Sequence, residues 1–151
     1  MNRYIGCSIF FVIMSHYPLI RSQDQQRILF SNGCWWLLDP ELEKTIHLDP
    51  KFGLCNWNVG RLCKSLVIEK RTFTRLVEDS LGIAAKRWLR EIRIVAACHL
   101  LREEGKIDNV ARTLGFRYDS DFSHEFKKLV GVSPSHYRKA ENLRSEGFSF
   151  Y

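Results

Sequence analysis

No two cysteines of this chain are spaced as a pair. Cys7, Cys34, Cys55, Cys63 and Cys98 are odd in number and contain no C-x-x-C, so they form neither a disulfide framework nor a zinc pattern. Such usage fits a reducing compartment, the cytoplasm. None of the five histidines belongs to an H-E-x-x-H or similar ligand pair, and neither a metal nor any other cofactor is expected. Paired carboxylates, a nucleophile with its base and a phosphate-binding loop are also missing, because Gly53, Gly60 and Gly82 stand isolated. Enzymes are therefore the weakest class. Long apolar runs are absent too. Tyr4 to Met14, after Arg3, resembles the opening of a signal peptide, but it is far too short to span a bilayer and no small-residue cleavage pattern follows it. It reads as a strand or helix fragment, or as a product of gene-start choice, and no membrane partner is expected.

What is present is a pattern that occurs twice, the second time about fifty residues after the first. Phe73, Leu76 and Val77 fall at i, i+3 and i+4, with Arg71, Thr74, Arg75 and Glu78 on the opposite face. In the second copy Phe122, Phe126, Leu129 and Val130 make the apolar stripe, and Ser120, Ser123, His124 and Lys127 the polar one. Each copy is preceded by a shorter helix signal and a tight connection, which is the pattern of a helix-turn-helix unit.

Between the copies, Ala84 to about Glu104 reads as one helix, with Trp88, Ile92, Val95, Ala96 and Leu100 at helical spacing and Gly105 as its stop. Such a rod spans roughly 31 Å. One turn of B-DNA is about 34 Å, so the rod suits two recognition helices in successive major grooves. Charge points the same way. Residues 51–140 hold 18 Lys and Arg against 10 Asp and Glu, a net +8, whereas residues 1–50 and 141–151 are each at −1. The excess of positive charge lies on the segment that carries the motifs, as phosphate binding requires, although a basic solvated surface is common in small helical proteins.

Over roughly residues 57–139 the sequence resembles the AraC/XylS transcription regulators. The second unit carries Ile107, Val110 and Ala111, then Leu114-Gly115-Phe116, Ser120, Phe122 and Phe126, then Gly131-Val132-Ser133-Pro134 and Tyr137-Arg138. Leu62, Phe73, Arg75, Leu81-Gly82, Trp88-Leu89, Arg93-Ile94, Ala97 and Leu100-Leu101 match upstream. The resemblance implies an all-α domain of about seven helices, two helix-turn-helix units on a connector helix, which binds double-stranded promoter DNA and usually activates transcription, with RNA polymerase as a further partner. The first unit departs from the pattern. Leu66-Val67-Ile68-Glu69 stands where the family usually has a turn glycine and a Ser opening the recognition helix, and Ala84-Ala85 where Ser-Pro is common. A β-branched residue is a poor choice for positive φ, so the turn is either built differently or strained.

On this reading residues 39–140 form the DNA-binding domain, after a poorly defined segment 1–38 and before a tail 141–151. Gln23 to Gln26 reads as loop. Asp39-Pro40 reads as the start of a helix over about 40–48 that lays Leu42 and Ile46 against the first unit. Asn58 caps the next helix, through about Ser65, with Trp57 as an apolar anchor before it. Cys63 reads as a small core residue.

Arg71 and Arg75, one turn apart, suit bidentate contacts with guanine, and Thr72 and Thr74 suit a thymine methyl or a phosphate. The resemblance points Arg71, Thr74 and Arg75 of one helix, and Ser120, Ser123 and His124 of the other, at the groove. His124 stands where the family often has Arg, which makes that contact weaker or pH-sensitive. Lys127 and Lys128 suit the DNA backbone or solvent. Arg75 has an alternative in Glu78 or Asp79 on its own helix. Asp119, beside the second face, is a helix cap or an acceptor from cytosine. A competing class is a helical module that docks on the transcription machinery with DNA contact weak or lost, favoured by the departures at Leu66 to Ile68. The fifty residues ahead of the motifs are too few for an effector-binding barrel, so a small-molecule effector is not expected within this chain.

Overall fold

The computed structural model describes residues 26–39, 43–103 and 106–145. The Tyr4–Met14 run, most of the expected loop at 23–26 and the last six residues lie outside them. Seven helices occur among the described residues, the expected number: α1 Asp49–Leu54, α2 Val59–Leu66, α3 Lys70–Leu81, α4 Ala85–Glu103, α5 Ile107–Thr113, α6 Asp119–Val130 and α7 Pro134–Ser145.

The fold is nevertheless not all-α. A three-stranded antiparallel sheet in the order β1-β2-β3 precedes the helices: β1 Arg27–Ser31, β2 Cys34–Asp39 and β3 Lys44–His47. Its first turn is Asn32-Gly33, with φ of 52° and 78°, between the paired residues Ser31 and Cys34. Two successive positive φ values make the hairpin turn whose twist matches that of the strands, and Asn-Gly adopts it at little steric cost. Along β2 the side chains alternate, with Trp35, Leu37 and Asp39 buried and Trp36 and Leu38 half-buried.

β3 replaces the helix expected over 40–48. Residues 40–42 lie outside the described residues, but Lys44 to His47 is extended and Ile46 pairs with Leu37. Thr45 and Ile46 are β-branched and fit a pleated surface, and Asp39, buried at the end of β2, accepts a hydrogen bond from Gln26 Nε2 at 2.6 Å. β1 and most of β2 precede residue 39, yet β1 packs on α3 and β2 on α1: Ile28 is buried and its N–H donates to Ser80 Oγ at 3.0 Å.

The described residues divide between Glu91 and Ile92 into two compact units, a boundary that falls inside α4. The first unit is built around Trp88, which is fully buried, with ring centroids of Trp35 at 5.1 Å and Phe52 at 5.5 Å, both nearly perpendicular to it. Trp57 stacks on Phe52 at 5.9 Å, the anchoring role expected of it. In the second unit the rings run in series, Phe116 to Phe122 at 5.3 Å, Phe122 to Phe126 at 5.7 Å and Phe126 to Tyr137 at 5.5 Å. Cys63 and Cys98 are buried, and Cys63 is the small core residue expected. α4 itself has 19 residues, about 28 Å of helix. Among the described residues no helix is long and apolar enough to cross a membrane.

Candidate nucleic-acid interface

In the first unit, α2 begins where Asn58 Oδ1 accepts the N–H of Arg61 at 3.0 Å, the expected cap. It buries Leu62, Cys63 and Leu66 and ends at Val67, which is left-handed at φ 57°, ψ 39°. There the Val67 N–H donates to Lys64 O at 3.2 Å and the Ile68 N–H to Cys63 O at 3.0 Å. Of the two outcomes left open for this turn, strain is the one that occurs: a β-branched residue is held in the left-handed region. α3 then buries Phe73, Leu76, Val77 and Leu81 and leaves Arg71, Arg75 and Glu78 exposed, with Thr72 and Thr74 half-buried beside them. The helix closes on Gly82 at φ 70°, whose N–H donates to Glu78 O.

The second unit repeats the construction. α5 ends at Leu114, Gly115 takes the left-handed position at φ 73°, and the Gly115 and Phe116 N–H groups donate to Arg112 O and Ala111 O, both at 2.9 Å. Gly115 and Phe116 thus hold the places of Val67 and Ile68. α6 buries Phe122 and Phe126, where α3 has Phe73 and Val77, and it closes on Gly131 at φ 90°, where α3 has Gly82. The frame set by those pairs places Ser120, Ser123, His124 and Lys127 where α3 carries Arg71, Thr74, Arg75 and Glu78. Ser120, His124 and Lys127 are exposed and Ser123 is half-buried. Leu129 and Val130, expected in the apolar stripe, are half-buried.

Among the ion pairs of the described residues, Arg71, Arg75 and Lys127 take no part, so the alternative that Arg75 is spent on Glu78 or Asp79 is not realised. Neither α3 nor α6 has a side-chain cap. Glu69 and Tyr118 occupy the N-cap positions without hydrogen-bonding the first turn, so Asp119 is the first helical residue rather than the expected cap. Uncapped N–H groups together with the helix dipole favour an anion such as a phosphate. The first turns differ in charge: α3 opens with Lys70 and Arg71 and no acid, whereas α6 holds Asp119 and Asp121 there. Phosphate is the more welcome at α3.

Two groups escaped sequence reasoning. Arg93 of α4, matched by the resemblance but given no role, donates from Nε to Leu114 O at 2.8 Å and lays its guanidinium over Phe116 at 3.4 Å. It clamps the second turn in place, and burial lowers its pKa from the ordinary value while the charge of Glu125 opposes that shift. Arg117 and Tyr118 are exposed side by side ahead of α6, with the guanidinium 5.2 Å from the ring centre. Neither signal was periodic, and periodicity was what the sequence offered.

A helix-turn-helix domain family matches residues 62–140. An uncharacterised HTH-type transcriptional regulator of Haemophilus influenzae is 23% identical over 126 residues, covering 83% of this chain and 42% of that protein. An HTH-type transcriptional regulator of Mycobacterium tuberculosis is 34% identical over 83 residues, 54% of this chain and 32% of that protein. The chain thus spans less than half the length of these relatives. Among solved structures, the DNA-binding domain of the global transcriptional factor AdpA, in complex with a target DNA, aligns with a TM-score of 0.54 at 30% identity, over 60% of this chain and 83% of that one.

Proposed function

The chain belongs to the AraC/XylS-type helix-turn-helix family, and from that premise we propose that it is a sequence-specific regulator of transcription that inserts α3 and α6 into successive major grooves of promoter DNA. The observation that carries this reading is the repetition in detail: two turns with the same hydrogen bonds, two twelve-residue helices, and on each a polar face whose cations make no ion pair among the described residues. The length of α4, about 28 Å, is close to one turn of the duplex. Arg71 and Arg75 supply most of the base readout, with Thr72 and Thr74 beside them. Ser120, Ser123 and His124 make the lesser contacts, and Lys127 meets the backbone. The work is that of a binding protein and not of an enzyme. Promoter DNA places it in the bacterial cytoplasm, and activation would bring RNA polymerase as second partner. The departures at Leu66 to Ile68, which favoured a docking module with weak or lost DNA binding, lose that weight because the turn has the same bonds as its glycine-bearing counterpart.

The test is a pair of substitutions measured on selected and random duplexes. Arg75→Ala should cost about 1–3 kcal/mol on the preferred sequence and little on random DNA. Lys127→Ala should weaken both alike and reduce the salt slope by about one unit. Equal losses on both duplexes from both substitutions would remove the assignment of these residues.

A further inference from the structure

Outside the recognition helices, three side chains with metal-binding atoms meet where the sheet joins α1. Cys34 opens β2, His47 closes β3 and Asp49 opens α1, and their ligand atoms all lie within 4.8 Å of one another. We propose that Cys34 Sγ, His47 Nε2 and Asp49 Oδ2 form a three-ligand site for a divalent transition-metal ion of the zinc class.

The register of the sheet creates this cluster. β2 and β3 pair Trp36 with His47, so the start of β2 lies beside the end of β3, and the Leu48 N–H donates to Trp35 O at 2.9 Å across the junction. The parts are held rigidly. Trp36 stacks on the His47 ring at 4.7 Å and 21°, and the Trp35 N–H donates to Asp49 Oδ2 at 2.6 Å, the kind of outer support that orients metal ligands.

An ion pair alone accounts poorly for His47. Its Nε2 lies 3.2 Å from Asp49 Oδ2 and is shielded from solvent, without a hydrogen bond of good geometry. Two ligands of one tetrahedral ion stand side by side in this way, roughly 3.3–3.6 Å apart for zinc bonds of about 2.0–2.3 Å. Sulfur, imidazole nitrogen and carboxylate oxygen together suit zinc rather than magnesium or calcium. Three protein ligands leave the fourth position of a tetrahedral ion to water. On binding, the Cys34 thiol releases its proton to solvent, the sulfur coordinates as thiolate, and His47 coordinates through neutral Nε2.

The experiment titrates the full chain, stripped of metal, with Co(II) and then displaces Co(II) with Zn(II). One equivalent should give a sulfur-to-cobalt charge-transfer band that Zn(II) abolishes, and Zn(II) should raise the melting temperature. Cys34→Ser should lose the band and the rise in melting temperature. Asp49→Asn keeps an oxygen for the Trp35 N–H and should bind at least about tenfold more weakly with an unchanged circular dichroism spectrum. Absence of the band in the parent protein, or its survival in Cys34→Ser, would overturn the proposal. Should Cys34→Ser fail to fold, Asp49→Asn decides, and unchanged affinity there leaves only an ion pair between His47 and Asp49.

Discussion

At the scale of single residues, Val67 is the departure with a measurable cost. Its side chain is 92% exposed, so it gains almost nothing from packing, while its φ of 57° is one that L-residues occupy at a cost of about 1–2 kcal/mol. Glycine has no such cost there but loses more chain entropy on folding, about 0.5–1 kcal/mol. Val67→Gly should therefore raise stability by about 0.5–1 kcal/mol in urea denaturation, and Gly115→Val, in the matching position of the second unit, should lower it by about the same 0.5–1 kcal/mol. No change from Val67→Gly would mean that the turn relaxes in solution. The strain was legible because the family resemblance says where a turn glycine usually stands and the sequence has Leu66-Val67-Ile68 there. The sequence could not show that the turn keeps its geometry without one, since that depends on the bonds from Val67 and Ile68 back to α2.

At the scale of elements, α3 and α6 were readable from periodicity, because burying Phe73 and Val77, or Phe122 and Phe126, forces the opposite face outward. The sheet was not read, although Asn32-Gly33 between apolar segments is a strong local hairpin signal. Asp39-Pro40 drew attention as a helix start, and that cue is only local: pairing of β3 with β2 outweighed it. The Cys34, His47 and Asp49 cluster was hidden for a related reason, since its ligands are spaced by a hairpin register and not by a short motif. At the start of α6, Tyr118 and not Asp119 holds the N-cap position. Asp119 at the first position of α6 stabilises the helix through the dipole while it repels phosphate. Asp119→Asn should tighten binding to duplex of any sequence and cost about 0.3–1 kcal/mol of stability. Gel-shift titrations beside thermal melts would check both signs, and unaltered DNA affinity would mean that the end of α6 does not face a phosphate.

For the whole molecule, the two units follow one plan with different fillings, and each has its own aromatic core. Trp88 gathers Trp35, Phe52 and Phe73 on one side of the division, while Phe122 joins Phe116 and Phe126 on the other. Phe73 and Phe122 hold equivalent places and are both fully buried, so one substitution can be made in each unit at the same structural position. Phe73→Leu and Phe122→Leu should each cost roughly 1–2 kcal/mol, between a lost methyl group and truncation to alanine. If the units open separately, amide exchange in Phe73→Leu should accelerate in β1, α2 and α3 and stay as it was in α5 and α6, with the converse for Phe122→Leu. α4 should show both behaviours, because the division falls between Glu91 and Ile92: amides before it should follow the first substitution and those after it the second. Uniform acceleration along the chain in either variant would mean instead that the domain opens as one cooperative body. Separate opening would let one recognition helix stay seated on DNA while the other exchanges, so Phe122→Leu should shorten the protected stretch in a footprint from one end before it abolishes binding.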